Sequence, residues 1–135
     1  MLKYKLIKNT NEKSPFCGQV YARAYYDETI GLEQLAEHMA SHNSPFSAGT
    51  IHGVLKDMVA CIKELVLESK KVKIDDLAII SLGLHGQYAT SPKVFNPAHN
   101  IKKANIKALG TGSFAKKELD LAVKYKEVEE YVKEG

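Results

Sequence analysis

The chain has 135 residues, of which 44% are hydrophobic and 26% are charged. This length accommodates one hydrophobic core of ordinary size and excludes a large multidomain enzyme, and the composition excludes a persistently disordered chain. The net charge at pH 7 is only +3, which is a weaker basic excess than a dedicated nucleic-acid binder usually shows.

The beginning of the chain has the pattern of two short strands. Residues 3–8 and residues 20–25 alternate between polar and apolar side chains, and the segment between them is rich in turn-forming residues. We predict a β-hairpin here. It forms an N-terminal extension, residues 1–27, which precedes a main domain over residues 28–135.

Two helices follow the hairpin. Apolar residues spaced by three and four predict a first helix over about Leu32–His42, with Thr29 as its candidate cap. Ser47 is well placed as the N-cap of a longer helix that runs to about Glu68. The apolar face of this second helix is too broad for one short helix to cover, which predicts dimerisation.

The remaining chain is predicted to contain three strands, an irregular excursion and a final helix. Residues 72–75 alternate and residues 77–84 are mostly apolar, which predicts two short strands. The stretch from His85 onward is interrupted by prolines and predicts an extended excursion, which returns as a strand over residues 100–109. A last helix is predicted from about Phe114 to Val132, with an apolar stripe on one face and acids on the other.

The net charge is the sum of four blocks. Residues 1–27 carry +3, residues 28–76 carry −3, residues 77–117 carry +6 and residues 118–135 carry −3. The third block contains six lysines and no carboxylate over 41 residues, between two acidic segments. This distribution predicts that one strip of the chain faces an anion.

The two cysteines, Cys17 and Cys61, lie far apart, and no C-x-x-C or Cys/His ligand cluster accompanies them. Neither a disulfide framework nor a zinc site is indicated, and Cys61 is interpreted as a small core residue. The N-terminus lacks the unbroken apolar stretch of a signal peptide, and no segment approaches the length of a membrane span. We expect a reduced, soluble, cytoplasmic protein.

The order helix, turn, long helix, two short strands, basic excursion, returning strand and helix is a recognisable pattern. Residues 32–84, followed by the lysine-bearing excursion and the sequence FAKKELDLAV, resemble the HU/IHF family of bacterial histone-like DNA-binding proteins. The likeness is closer to a longer HU-like branch that has an N-terminal extension, and it covers about residues 28–124.

The resemblance implies an α+β fold. Its parts are a helical dimerisation body, a small antiparallel sheet, an extended β-arm and a C-terminal helix. The implied assembly is an intertwined homodimer whose two arms wrap the minor groove of double-stranded DNA.

The sequence departs from the family pattern in three places. Residues 75–80 replace the usual Gly-Phe-Gly-Thr-Phe turn, and the nearest counterpart of the Arg-Asn-Pro arm tip is Asn96-Pro97, with Pro92 as a rival. Residues 77–117 contain no arginine. Because Arg reads minor-groove width and forks onto phosphates better than Lys, this absence bears on affinity and bending more than on the fold.

The basic strip offers lysines to phosphates without acidic neighbours, which predicts salt-sensitive binding without sequence preference. A proline at the arm tip is either an apolar wedge between base steps or a plain turn residue. Two lysines near the start of the last helix either contact phosphate or are solvated surface residues. The predicted DNA-binding residues are Lys93, Lys102, Lys103, Lys107, Lys116, Lys117 and Pro97.

Other clusters are weaker candidates for chemistry. His38 and His42 lie four residues apart, as metal ligands do, but without a third ligand we interpret them as part of a solvated helix face. Asp75 and Asp76 point to opposite faces if they lie in a strand and are interpreted as turn acids. Residues 110–113 lack the ending of a phosphate-binding loop and are interpreted as a linker. The hairpin tyrosines are interpreted as packing residues, with base stacking as the alternative.

These observations predict an HU-like homodimer that binds double-stranded DNA through its backbone and minor groove and acts as an architectural protein in the cytoplasmic nucleoid. We predict no enzymatic activity, cofactor, metal, membrane contact or small-molecule substrate. The alternative is an HU-fold dimeric structural or protein-interaction module with weak or no DNA binding. A small enzyme is the weakest interpretation, since no set of nucleophile, base and orienting group is present.

Overall fold

The computed structural model describes residues 1–128, which form two compact units. One unit contains Met1–Ile30 and residues 120–128, and the other contains Gly31–Leu119. The described elements are β1 (Leu2–Lys8), β2 (Val20–Tyr25), α1 (Leu32–Ala40), α2 (Ala48–Leu67), β3 (Val72–Ile74), β4 (Ala78–Gly86), α3 (Pro97–Asn100), β5 (Ile101–Gly110), α4 (Lys116–Ala122) and β6 (Tyr125–Glu127). Helices and two three-stranded sheets together confirm the predicted α+β class.

The first unit contains the predicted hairpin. β1 and β2 pair antiparallel, with Lys3 opposite Tyr25 and Lys8 opposite Val20. Backbone bonds between Asn9 and the end of the connecting loop close the hairpin. β6 adds a third strand, so the sheet has the order β2-β1-β6.

The predicted last helix is confirmed over Lys116–Ala122 and wrong over residues 123–128. α4 ends at Ala122, and the next residues form β6, which pairs in parallel with β1. The backbone N–H of Val128 extends this pairing by donating to the carbonyl oxygen of Tyr4 at 3.0 Å. Val132 lies outside the described residues. Pairing with a distant strand overrides the local helical period, since propensity is a weak prior against tertiary contacts.

The start of α2 agrees with the prediction and the start of α1 does not. The Oγ of Ser47 accepts a hydrogen bond from the backbone N–H of Thr50 at 3.1 Å, as an N-cap does. α1 begins after Gly31, not after the predicted cap Thr29, and the backbone N–H of Gly31 donates to the side-chain oxygen of Gln34 at 3.2 Å. The glutamine satisfies an N-terminal donor without a hydroxyl cap.

The apolar face of α2 divides into two adjacent stripes. The inner stripe, which is buried or half-buried, consists of Ile51, Leu55, Ile62 and Val66. The outer stripe, which is exposed, consists of Val54, Met58, Cys61 and Leu65. The prediction of Cys61 as a core residue is therefore wrong for the single chain, because the chain itself leaves this side of the helix uncovered.

The second unit contains the sheet β3-β4-β5, whose neighbouring strands are all antiparallel. Asp75 and Asp76 lie in the turn between β3 and β4, as predicted. Residues 110–113 are more than a linker, because they pack on this turn. The hydroxyl of Ser113 donates to the carbonyl oxygen of Asp76 at 3.1 Å, and a Cβ at Gly112 would overlap Asp76.

Candidate nucleic-acid interface

The predicted arm is the antiparallel ribbon of β4 and β5. Its register changes near the outer end, where His85 lies opposite Lys103 but Gly86 lies opposite Ile101. Lys102 is therefore an extra residue of β5 without a register partner. Such a bulge increases the local twist and redirects a side chain, so adjacent lysines need not point to strictly opposite faces here.

Asn100 closes the tip of the arm. Its side-chain amide donates to the carbonyl oxygens of Gln87 at 3.0 Å and Tyr88 at 3.3 Å, while its Oδ1 accepts from the backbone N–H of Asn96 at 2.9 Å. A Cβ at Gly86 would overlap the carbonyl oxygen of Asn100, so the close approach requires glycine. Sequence reasoning missed Asn100, because a single amide in a polar loop has no periodic signal.

Both tip prolines begin short helical turns. Pro92 begins a 3-10 turn that ends at Val94, and Pro97 begins α3 after Asn96, whose Oδ1 accepts from the backbone N–H of Ala98 at 3.0 Å. Proline suits the first helical position because its φ is preset and no N–H partner is needed there. Pro97 remains exposed. The exposed large apolar side chains of the tip are Tyr88, Val94 and Phe95.

The structure brings together some of the predicted lysines. Lys102, Lys103 and Lys107 all lie exposed on β5. Lys107 crosses the ribbon, because a Cβ at Gly83 on β4 would overlap its side chain. Three predicted lysines lie on other elements. Lys93 is exposed in the 3-10 turn of the tip, and Lys116 and Lys117 are exposed at the start of α4.

Two lysines that sequence reasoning missed lie beside the arm. Lys70 and Lys71 line a cleft together with Lys107, between the end of α2 and the β4–β5 ribbon. Lys70 contacts the Glu68 carboxylate at 3.4 Å, and both side chains are more than half exposed, so this pair is weak. Charge counting placed both lysines in an acidic block of the sequence. Only the fold brings them next to the basic strip.

The histidine pair has a defined geometry. The Nε2 atoms of His38 and His42 are 3.1 Å apart, so the rings hydrogen-bond to each other on an exposed part of α1 and its end. Within residues 1–128, no group of three or more His, Cys, Asp or Glu side chains is placed to hold a metal ion. In the same part of the chain, none of the helices has the length and apolarity to cross a membrane.

The fold and the sequence both have counterparts among known proteins. A crystal structure from Bacteroides vulgatus ATCC 8482, of a protein that bears the name of a bacterial DNA-binding protein, is similar to this chain with a TM-score of 0.66 and 16% identity. The similarity covers 94% of this chain and 48% of that one, so this chain spans about half the length of that protein. None of the curated proteins matches the sequence.

The family comparison covers most of the chain. Residues 1–119 match the model of the HU-HIG family, described as an HU domain fused to wHTH, Ig, or a glycine-rich motif. This match confirms the HU-like resemblance and includes the N-terminal hairpin. The protein therefore belongs to the HU-HIG family.

Proposed function

We propose that this protein is an HU-like architectural protein that binds double-stranded DNA through the phosphate backbone and the minor groove, with little sequence preference. The observation that carries the proposal is the arm, where Lys102, Lys103 and Lys107 lie exposed on one strand within a 41-residue region that has no carboxylate. Membership of an HU family supports it, as does a fold shared with a protein named for DNA binding. The proposal includes an N-terminal extension over residues 1–27, an HU-like domain from residue 28 and a nucleoid location.

Lysine chemistry sets the kind of binding that we propose. Each ammonium group that neutralises a phosphate releases counterions, which gives affinity that falls with salt and does not depend on sequence. Lys is a compact point charge, so it positions the protein on the backbone without the forked geometry that reads a base edge. The lysines in this role are Lys93, Lys102, Lys103, Lys107, Lys116 and Lys117, with Lys70 and Lys71 beside them.

The tip of the arm supplies apolar contacts. Pro97 and the side chains of Tyr88, Val94 and Phe95 are exposed there, around a turn that is held together by Asn100. Apolar wedges between base steps cost a few kcal/mol of unstacking, which the additional backbone contacts of a bent duplex offset. We assign Pro97 to this contact as part of the proposal.

A homodimer is the second part of the proposal, and the uncovered apolar surface supports it. The buried apolar residues within residues 1–128 are only Ala36, Ile51 and Val66, whereas the outer stripe of α2 is exposed. Leu35 and Met39 of α1 are also about 40% exposed. A second copy covers such a surface most simply, and it doubles the number of arms that face DNA.

Salt-dependent binding tests the proposal. We expect the intact protein to bind random double-stranded DNA with an affinity that falls steeply as salt rises. Replacing Lys102, Lys103 and Lys107 with Gln makes the negative slope of log affinity against log salt shallower by about 2.7 for each chain in contact, since each phosphate contact contributes about 0.9. Fluorescence anisotropy at several salt concentrations measures this slope.

The control removes the same number of charges away from the arm. Replacing the exposed residues Lys8, Lys13 and Lys63 with Gln leaves the slope within about one contact of the original value. Equal slopes for the two triple variants would contradict the arm assignment. A dimeric protein that binds no DNA even at low salt would favour the alternative, an HU-fold interaction module. The observation behind that alternative is the lack of arginine in residues 77–117.

A further inference from the structure

The sheet of the first unit has two chemically different faces. Strand alternation and register place mostly small and apolar residues on one face, together with Lys8 and Glu127. A shallow groove there is lined by Leu2, Lys3, Tyr4, Leu6, Ala22, Ala24 and Tyr125. The opposite face is basic and aromatic, with Ile7 at one end. Its other side chains are Lys3, Lys5, Tyr21, Arg23, Tyr25 and Lys126.

Aromatic rings position the cations on the basic face. The Nζ of Lys5 lies 4.7 Å from the ring centre of Tyr25, and the guanidinium carbon of Arg23 lies 5.9 Å from the ring centre of Tyr21. The Nη2 of Arg23 also donates to the hydroxyl oxygen of Tyr21 at 3.2 Å. Contacts of this kind orient a cation without neutralising it.

The cations spread across all three strands. Lys3 on β1 forms an ion pair with Asp27 at 2.9 Å, whereas Arg23 is exposed on β2 and Lys126 is exposed on β6. Because β2 and β6 flank β1, and Arg23 pairs with Lys5 whereas Lys126 pairs with Lys3, Arg23 and Lys126 lie about 12 Å apart, which is two strand spacings across the sheet and two residues along it. The face therefore offers separated positive charges on a flat platform instead of one concentrated point.

We propose that this basic face of the β2-β1-β6 sheet is a second DNA-contact surface, which binds phosphates of double-stranded DNA. The inference rests on the proposed function and extends it to the N-terminal extension. Arg forks and Tyr hydroxyls are both donors that proteins use on phosphate oxygens. The hydroxyl of Tyr21 accepts from Arg23, so its own hydrogen can donate to a phosphate oxygen.

The test uses the full chain with two charges removed from the face. We expect Arg23→Gln combined with Lys126→Gln to make the negative salt slope of double-stranded DNA binding shallower by about 1.8 for each chain in contact. The matched control is Lys8→Gln with Lys13→Gln, which removes two charges from the same unit. Lys8 ends β1 on the opposite face and Lys13 lies in the hairpin loop, so the control keeps the original slope.

A second variant separates charge from folding. Arg23→Lys retains the positive charge and loses the fork, so the salt slope stays at the original value if phosphate contact is the role of this residue. Amide exchange of β1 and β2 confirms that the hairpin remains folded in each variant. A slope that falls equally in Arg23→Lys and Arg23→Gln would overturn the phosphate contact.

The outcomes distinguish this inference from the proposed function. If the face variant and its control have equal slopes while the arm variant loses affinity, the second surface is overturned and the arm stands. If the salt slope becomes shallower in the face variant but not in the arm variant, the assignment of the arm to DNA binding is wrong and the basic face remains the DNA contact. If the intact protein binds no DNA at low salt, both are overturned.

Discussion

Asn100 is the residue on which the shape of the arm tip depends most directly. Its side-chain N–H groups donate to the backbone carbonyl oxygens of Gln87 and Tyr88, which follow β4. Its side-chain oxygen, Oδ1, accepts from the backbone N–H of Asn96. A typical protein hydrogen bond has a net value of about 0.5–1.5 kcal/mol, and bonds near solvent lie at the lower end because water replaces a lost partner. Each hydrogen bond of Asn100 therefore contributes only a small free energy to the stability of the tip.

Replacing Asn100 with Ala tests this role. We expect a local loss of about 1 kcal/mol, which raises amide exchange over residues 87–100 about 5-fold while the exchange of α2 is unchanged. DNA affinity also falls, because the apolar tip is less ordered before binding. The control is His99→Ala at an exposed neighbouring position. If His99→Ala gives the same increase in exchange, Asn100 does not hold the tip.

At the scale of elements, α2 carries the exposed apolar surface on which the proposed dimer rests. Its inner stripe packs within its own unit, and its outer stripe is exposed, with Val54 at 62% and Met58 at 37%. Burying a Val or Met side chain contributes about 1.5–3 kcal/mol. A helix with two apolar stripes needs covering on two sides, and α1 is too short to cover both.

Polar substitution of the outer stripe tests the dimer. We expect Val54→Asn with Met58→Gln to weaken self-association by about 3 kcal/mol, or about 100-fold, since both side chains lose apolar burial against the second copy. Sedimentation velocity measures the association, and a melting temperature that rises with protein concentration reports the same equilibrium.

Lys63 supplies the control for this prediction. It follows Val54 by nine residues, or two and a half helical turns, so it projects from the opposite side of α2. Lys63→Gln leaves the association unchanged. An unmodified protein that sediments as a monomer at all concentrations would contradict the dimer, as would a double variant that associates like the original.

At the scale of the whole molecule, the chain forms two units whose sequence ranges interleave. The first unit combines the N-terminal hairpin with residues 120–128, and the second contains α1, α2, α3 and the arm. The parallel pairing of β6 with β1 joins the N-terminal and C-terminal segments of the first unit. Each unit has its own basic surface, so the two proposed DNA contacts belong to separate parts of the molecule.

Breaking the β1–β6 pairing tests the separation of the units. Val128→Pro removes the N–H that donates to Tyr4 and restricts φ at the end of β6. We expect faster amide exchange in β1 and β2 with little change in α2, which serves as the internal reference. Equal acceleration in both units would show that they open together as one body.

Much of the fold follows from local signals. The hairpin of residues 2–25, the Ser47 cap of α2 and the strands β3, β4 and β5 are all present, because alternation, helical spacing and cap chemistry act within a few residues. Three features escaped prediction, namely β6, the Gln34 bond at the start of α1 and the closure of the tip by Asn100. The first and last join residues that are distant in sequence.

The features of the candidate interface also divide into those that local sequence signals determine and those that depend on contacts between distant residues. By itself the sequence determined the basic strip over residues 77–117, the strand that presents Lys102, Lys103 and Lys107, and the broad apolar face of α2, since charge and periodicity are properties of the chain alone. Only the tertiary structure decided that Lys70 and Lys71 lie beside Lys107 and that α2 has an inner and an outer stripe. It also decided that β6 completes a sheet with a basic face. These features depend on contacts between residues far apart in the sequence, and no local pattern encodes such contacts.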